Sequence, residues 1–153
     1  MKKIKISVLV LLAGFSLSVI SCQQKKEKQN TVSNIESEVH EHSQEKIELN
    51  QGEKWKVEPK MMLIIRKIEN EITGFKGNEL TDYQSLASNI DDGLNDLTSS
   101  CTMQGKAHDE LHKWLVPFME MVAEFSESKS TAESNEYVSK LKSEFNRFNT
   151  YFI

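Results

Sequence analysis

From residue 59 onward, apolar side chains recur at spacings of three and four in four successive segments, separated by short polar stretches. The first segment, about residues 59–74, carries Met61, Ile64, Ile65, Ile68 and Ile72, with Phe75 just beyond. The second, about 82–100, carries Tyr83, Leu86, Ala87, Ile90, Leu94 and Leu97. In the third, about 106–126, Ala107, Leu111, Trp114, Leu115, Phe118, Val122 and Phe125 follow the same rhythm. The fourth, about 131–151, repeats it with Tyr137, Val138, Leu141, Phe145 and Phe148, and Phe152 follows. Such a period gathers each set on one side of an α-helix and leaves the charged residues on the other. No stretch of useful length alternates with period two, as a half-buried strand would. The pattern predicts an all-α fold. Four helices of similar length with short connectors predict an antiparallel up-down four-helix bundle over residues 55–153.

The punctuation agrees. Pro59 suits a first helical turn, where its missing N–H has no partner to lose. Thr81 with Gln84, and Ser130 with Glu133, have the spacing of capping boxes. Gly74 and Gly77 mark an exit, and Pro117 should kink the third helix by removing one ladder bond.

Upstream of the bundle the pattern disappears. Residues 23–50 are polar, charged and nearly free of aromatics, too poor in apolar surface to offset the entropy of ordering. Residues 22–54 therefore read as a flexible tether. Residues 6–20, after Lys2, Lys3 and Lys5, are apolar and uncharged. They are shorter than the roughly 20 apolar residues of a membrane span and fit the core of an export signal.

The segment closing that signal, Val19-Ile20-Ser21-Cys22, resembles the lipobox of bacterial lipoproteins. The resemblance implies removal of residues 1–21 and acylation of Cys22. Two or more acyl chains hold a protein firmly where one holds it marginally. It also implies a cell-envelope location, anchored in the membrane through Cys22. Gln23 stands where many inner-membrane lipoproteins carry a retaining aspartate, which points to the outer membrane, facing the periplasm. Residues 101–115 are also similar to a stretch of small four-helix envelope lipoproteins, a likeness that brings no activity with it.

Cleavage would remove three lysines and no acidic residue, taking the formal charge from −4 to −7. An acidic surface argues against nucleic-acid binding, which uses concentrated basic patches. No phosphate-binding loop, dinucleotide fingerprint or nucleophile elbow occurs. The expected role is non-enzymatic.

One stretch carries chemistry: Cys101-Thr102-Met103-Gln104-Gly105-Lys106-Ala107-His108-Asp109-Glu110-Leu111-His112. His108 and His112, four apart, project from one side of a helix and could reach one ion. Cys101 and Met103 add a thiolate and a thioether, both soft donors. An up-down bundle brings Met61 and Met62 to the same end. Together these residues suit Cu(I), or Zn(II) with the thioethers unused. If lipidation consumes Cys22, Cys101 has no partner for an intramolecular disulfide in an oxidising compartment. The plainer reading makes the histidines boundary residues, about 60° and 100° round from Leu111, and the methionines core filler. The sequence His108–His112 also departs from the metalloprotease HExxH, because Asp109 follows the first histidine.

The leading expectation is thus a lipid-anchored protein that buffers, transfers or senses copper or zinc, with a metal-handling envelope protein as partner. Haem held between Met61 or Met62 and His112, resembling cytochrome b562-type bundles, is one alternative. A non-catalytic, partner-binding lipoprotein is another. His40-Glu41-His42 reads as solvated linker, Asp91-Asp92 as a solvated helix face, and Trp55 and Trp114 as packing residues.

Overall fold

The computed structural model describes residues 45–153, which belong to the unit His40–Ile153. The signal, Cys22 and the tether as far as residue 44 lie outside the described residues. Four α-helices account for most of the rest: α1 (Pro59–Gly74), α2 (Leu80–Ser99), α3 (Lys106–Ser126) and α4 (Thr131–Tyr151). There is no strand among the described residues. Each helix packs on the next in sequence, and α4 also touches α1 and α2.

The apolar stripes explain this packing directly. Met61, Ile65, Ile68 and Ile72 of α1 are buried, as are Tyr83, Leu86, Ile90, Leu94 and Leu97 of α2. Ile64, Phe75, Ala107 and Tyr137 are only partly buried, at the edges of the same core. The centre is aromatic. The Trp114 ring lies 4.8 Å from Phe118, 5.6 Å from Phe145 and 4.7 Å from Phe148, centroid to centroid. Gly93 faces α1, and a Cβ there would come within 2.9 Å of Ile68 Cγ1, so its missing side chain admits the buried isoleucine.

The helix starts follow local chemistry, with one correction. The box expected at Thr81 and Gln84 does not cap α2, which begins at Leu80. Instead the Asp82 carboxylate accepts the backbone N–H groups of Asn78 (3.1 Å) and Glu79 (3.0 Å). The box is shifted: Glu79 is the N-cap and Asp82, the third helical residue, is its partner, so Thr81 stands past the capping position. Ser130 does cap α4, its Oγ accepting the Glu133 N–H at 3.2 Å. The Glu133 carboxylate reaches back to the N–H of Lys129 (2.9 Å). Ser130→Ala should therefore lower stability by about 1 kcal/mol, seen as a reduced urea midpoint at unchanged m-value. Helix α3 continues from Lys106 to Ser126 with Pro117 inside it.

Residues 45–54, expected to belong to the tether, pack against the helices. Ile47 is 2% exposed, and Trp55 and Val57 are buried with it. The Glu48 N–H donates to Glu110 Oε2 at 2.8 Å, and the Trp55 indole N–H donates to the Glu48 carbonyl at 2.6 Å. Lys113 Nζ reaches both the Lys46 carbonyl (3.3 Å) and Glu110 Oε1 (2.9 Å), while Arg147 holds the Glu45 carbonyl at 3.2 Å. Farther along, Trp55 and Val57 pair through their backbones with Tyr151 and Ile153, at 2.8 and 2.9 Å. This places the approach to α1 beside the end of α4.

Candidate functional site

The connector between α2 and α3, residues 100–105, carries the first two sulfur donors. Its path is set by two hydrogen bonds and a glycine turn. The Cys101 N–H donates to the Thr98 carbonyl at 3.3 Å, continuing the last turn of α2. The Thr102 hydroxyl donates to Glu58 Oε2 at 2.6 Å, tying the connector to the residue before α1. Gly105 turns the chain into α3 with φ of 68°, a left-handed value that glycine adopts without a Cβ penalty.

These constraints leave a cavity of about 310 Å³ at the meeting of three helix ends. Met61 from the start of α1, Thr98 from the end of α2, and Cys101 and Met103 from the connector line it. His108, Leu111, His112 and Leu115 from α3 complete the wall. Five of the six expected metal ligands thus share one space. Met62 does not line the cavity; it lies partly buried against the core, because one residue along a helix rotates a side chain by about 100° away from its neighbour.

The donors differ in exposure. His112 is exposed, His108, Cys101 and Met103 are half-buried, and Met61 is fully buried. The two imidazole rings meet edge to face, with centroids 4.2 Å apart. Cys101 is a free thiol. Among the described residues, no three His, Cys, Asp or Glu side chains form a group that could hold a metal ion. Two thioethers, a thiol and an imidazole pair line the same cavity, a predominantly soft set of donors.

The buried carboxylate of Glu110 lies on the other side of α3 from the histidines, about 100° round from Leu111 in the opposite sense. Its pKa lies below the ordinary carboxylate value: burial pushes it up, but the Glu48 N–H and the Lys113 ammonium together outweigh that. Glu110 stands four residues before Trp114, a spacing that places it beside the buried stripe. Nothing in the linear pattern marks the distant Glu48 as its partner.

The aromatic groups around Trp114 are packing residues, and Asp91 and Asp92 are exposed. Among the described residues no helix is long and apolar enough to cross a membrane. Comparisons of the chain with protein-family models, curated proteins and solved structures find no match.

Proposed function

We propose that this chain is a lipid-anchored envelope protein, held through Cys22 in the outer membrane and facing the periplasm, that binds Cu(I) for buffering or transfer to a metal-handling partner. Residues 22–44 act as the leash, and the helices form an antiparallel up-down bundle with the metal site at one end. The order of packing, α1 on α2 on α3 on α4 with α4 returning to α1, supports that topology. So does the gathering of the start of α1, the end of α2 and the start of α3 around one cavity.

The observation that carries the metal reading is the shared cavity itself. Met61, Cys101, Met103, His108 and His112 come from three separate parts of the sequence and line the same 310 Å³. A thiol in an oxidising compartment is protected when a soft ion occupies it. Cu(I), content with two or three soft donors, asks less of the geometry than Zn(II), which takes four ligands.

The test is an anaerobic Cu(I) titration of the full chain in detergent against a competing chelator. Cys101→Ser combined with Met103→Leu should weaken Cu(I) binding by at least about tenfold. Unchanged affinity in that variant, with its helical circular dichroism intact, would refute the proposal.

A further inference from the structure

In a chain of net negative charge, the outer side of α1 carries the opposite sign. Its exposed residues include Lys60, Leu63 and Lys67, and none of them is acidic. The two carboxylates of the helix are half-buried: Glu69 accepts from Arg66 and Asn149, and Glu71 lies 4.0 Å from Lys67. Lys56, just before the helix, and Lys60 enter no ion pair among the described residues. By contrast α2 contains no basic residue, and its Asp91, Asp92 and Asp96 are exposed.

The same face is apolar at its centre. Leu63 is 73% exposed, the most of any large apolar side chain described. Pro59, one turn before it on the same side of the helix, lines an open groove of about 680 Å³ with Lys56, Val57, Met103, Ala107 and Ile153. Ile153 is itself 64% exposed. On α3, Val116 and Met119 are exposed too, but Glu120 and Glu124 are exposed beside them.

We infer that this face of α1, with Ile153 at its edge, docks on an anionic phospholipid surface, that of the membrane holding the anchor. Docking of this kind rests on the anchoring through Cys22 proposed above. Twenty-two residues lie between Cys22 and Glu45, a length that reaches at most about 80 Å when fully extended. The face therefore stays close to the bilayer, which acts as a high local concentration of lipid. Lysines are drawn to an anionic surface within about a Debye length, roughly 10 Å at 0.1 M salt. Their methylene stems let the ammonium groups sit among the phosphates while Leu63 and Ile153 reach the interface. Helix α1 packs on α2 and α4 and not on α3. With α1 against the lipid, α3 faces the aqueous side, and its exposed His112 stays accessible.

The experiment places the purified full chain, one copy per nanodisc and labelled at its methyl groups, in pure phosphatidylcholine or in a mixture with phosphatidylglycerol. A lipid spin-labelled at its headgroup broadens the NMR signals of methyl groups near the surface. Leu63 and Ile153 should broaden at least about threefold more in the anionic discs, and added salt should remove the difference. Lys56→Gln combined with Lys60→Gln and Lys67→Gln should abolish it at unchanged helical circular dichroism, since all three side chains are exposed. Equal broadening in the two lipids, or broadening centred on Val116 and Met119, would overturn the lipid assignment. So would a dimer in detergent, seen by sedimentation, that the lysine variant dissociates, because the face would then belong to the acidic α2 of a second copy. The intact mass of the mature chain tests the anchor separately. Without acyl groups the anchoring falls, and the face then stands only if the chain sediments with phosphatidylglycerol vesicles and not with phosphatidylcholine ones.

Discussion

Trp114→Ala should lower the free energy of unfolding by about 3–5 kcal/mol. The indole is 1% exposed and lies in ring contact with Phe118, Phe145 and Phe148. Truncation removes one of the two buried tryptophan side chains and leaves a void whose aromatic walls cannot collapse far. It also strips the Glu144 carbonyl of the indole N–H that now donates to it at 3.0 Å. Trp114→Phe separates the two terms, keeping much of the apolar contact while losing the hydrogen bond. Its cost should be visibly smaller. Urea unfolding followed by circular dichroism measures both, and equal losses for the two variants would show that the hydrogen bond, and not the packing, dominates at this position.

Glu110→Ala should cost about 2 kcal/mol, because the Glu48 N–H loses its acceptor and Lys113 keeps only the Lys46 carbonyl. The carboxylate is the fastening between α3 and residues 45–50, accepting from Glu48 N–H at 2.8 Å and from Lys113 Nζ at 2.9 Å. Glu110→Gln keeps an acceptor for the N–H and loses only the ionic part, so it should cost less. The pH dependence has a definite sign. The folded-state pKa of Glu110 lies below its ordinary value of 4.5, the opposing N–H and lysine outweighing burial. Its ionic contribution is therefore fully present above pH 4.5 and is lost as pH falls through the lowered folded value. The stability gap between the unaltered chain and Glu110→Gln should be widest above pH 4.5 and close in more acid solution. A gap that stayed constant through that range would place the stabilisation elsewhere. Amide exchange at Glu48 provides a local readout: in Glu110→Ala its protection should fall before that of the core helices.

The segment before α1 matters to how these residues are placed. With residues 45–57 fastened to α3 and α4 through Glu110, Lys113 and Arg147, the chain enters α1 from a defined point. That entry carries Glu58, which holds the connector through Thr102 at 2.6 Å. The position of Met61 and the path of the Cys101–Met103 connector thus depend on the same run of contacts, and a change in one should be felt at the other.

Composition alone made residues 45–54 look like tether, because a single isoleucine and a single leucine among charged neighbours carry no period. Ile47 is nevertheless buried at 2% exposure. Its neighbours are held from far along the chain, Glu48 by the Glu110 carboxylate 62 residues away and Glu45 by Arg147, and neither partner is present in the local sequence. The capping of α2 went the same way on a smaller scale. Thr81 and Gln84 have the right spacing, yet the helix begins at Leu80, so Glu79 takes the N-cap position and Asp82 pairs with it.

By itself the sequence determined the helices. Periodic apolar positions and short polar connectors made an all-α fold legible because helix formation and amphipathic burial depend on residues three and four apart, within the reach of a linear reading. The same local logic put His108 and His112 on one side of α3. Only the tertiary structure decided which donors share a space. It set Met61, and not Met62, against Cys101, Met103 and the histidines, because the rotation of α1 about its axis is chosen by the packing of its whole buried face. It also fastened residues 45–50 to α3 through Glu48 and Glu110. Those are contacts between chain segments far apart in sequence, and their geometry exists only once the helices have packed.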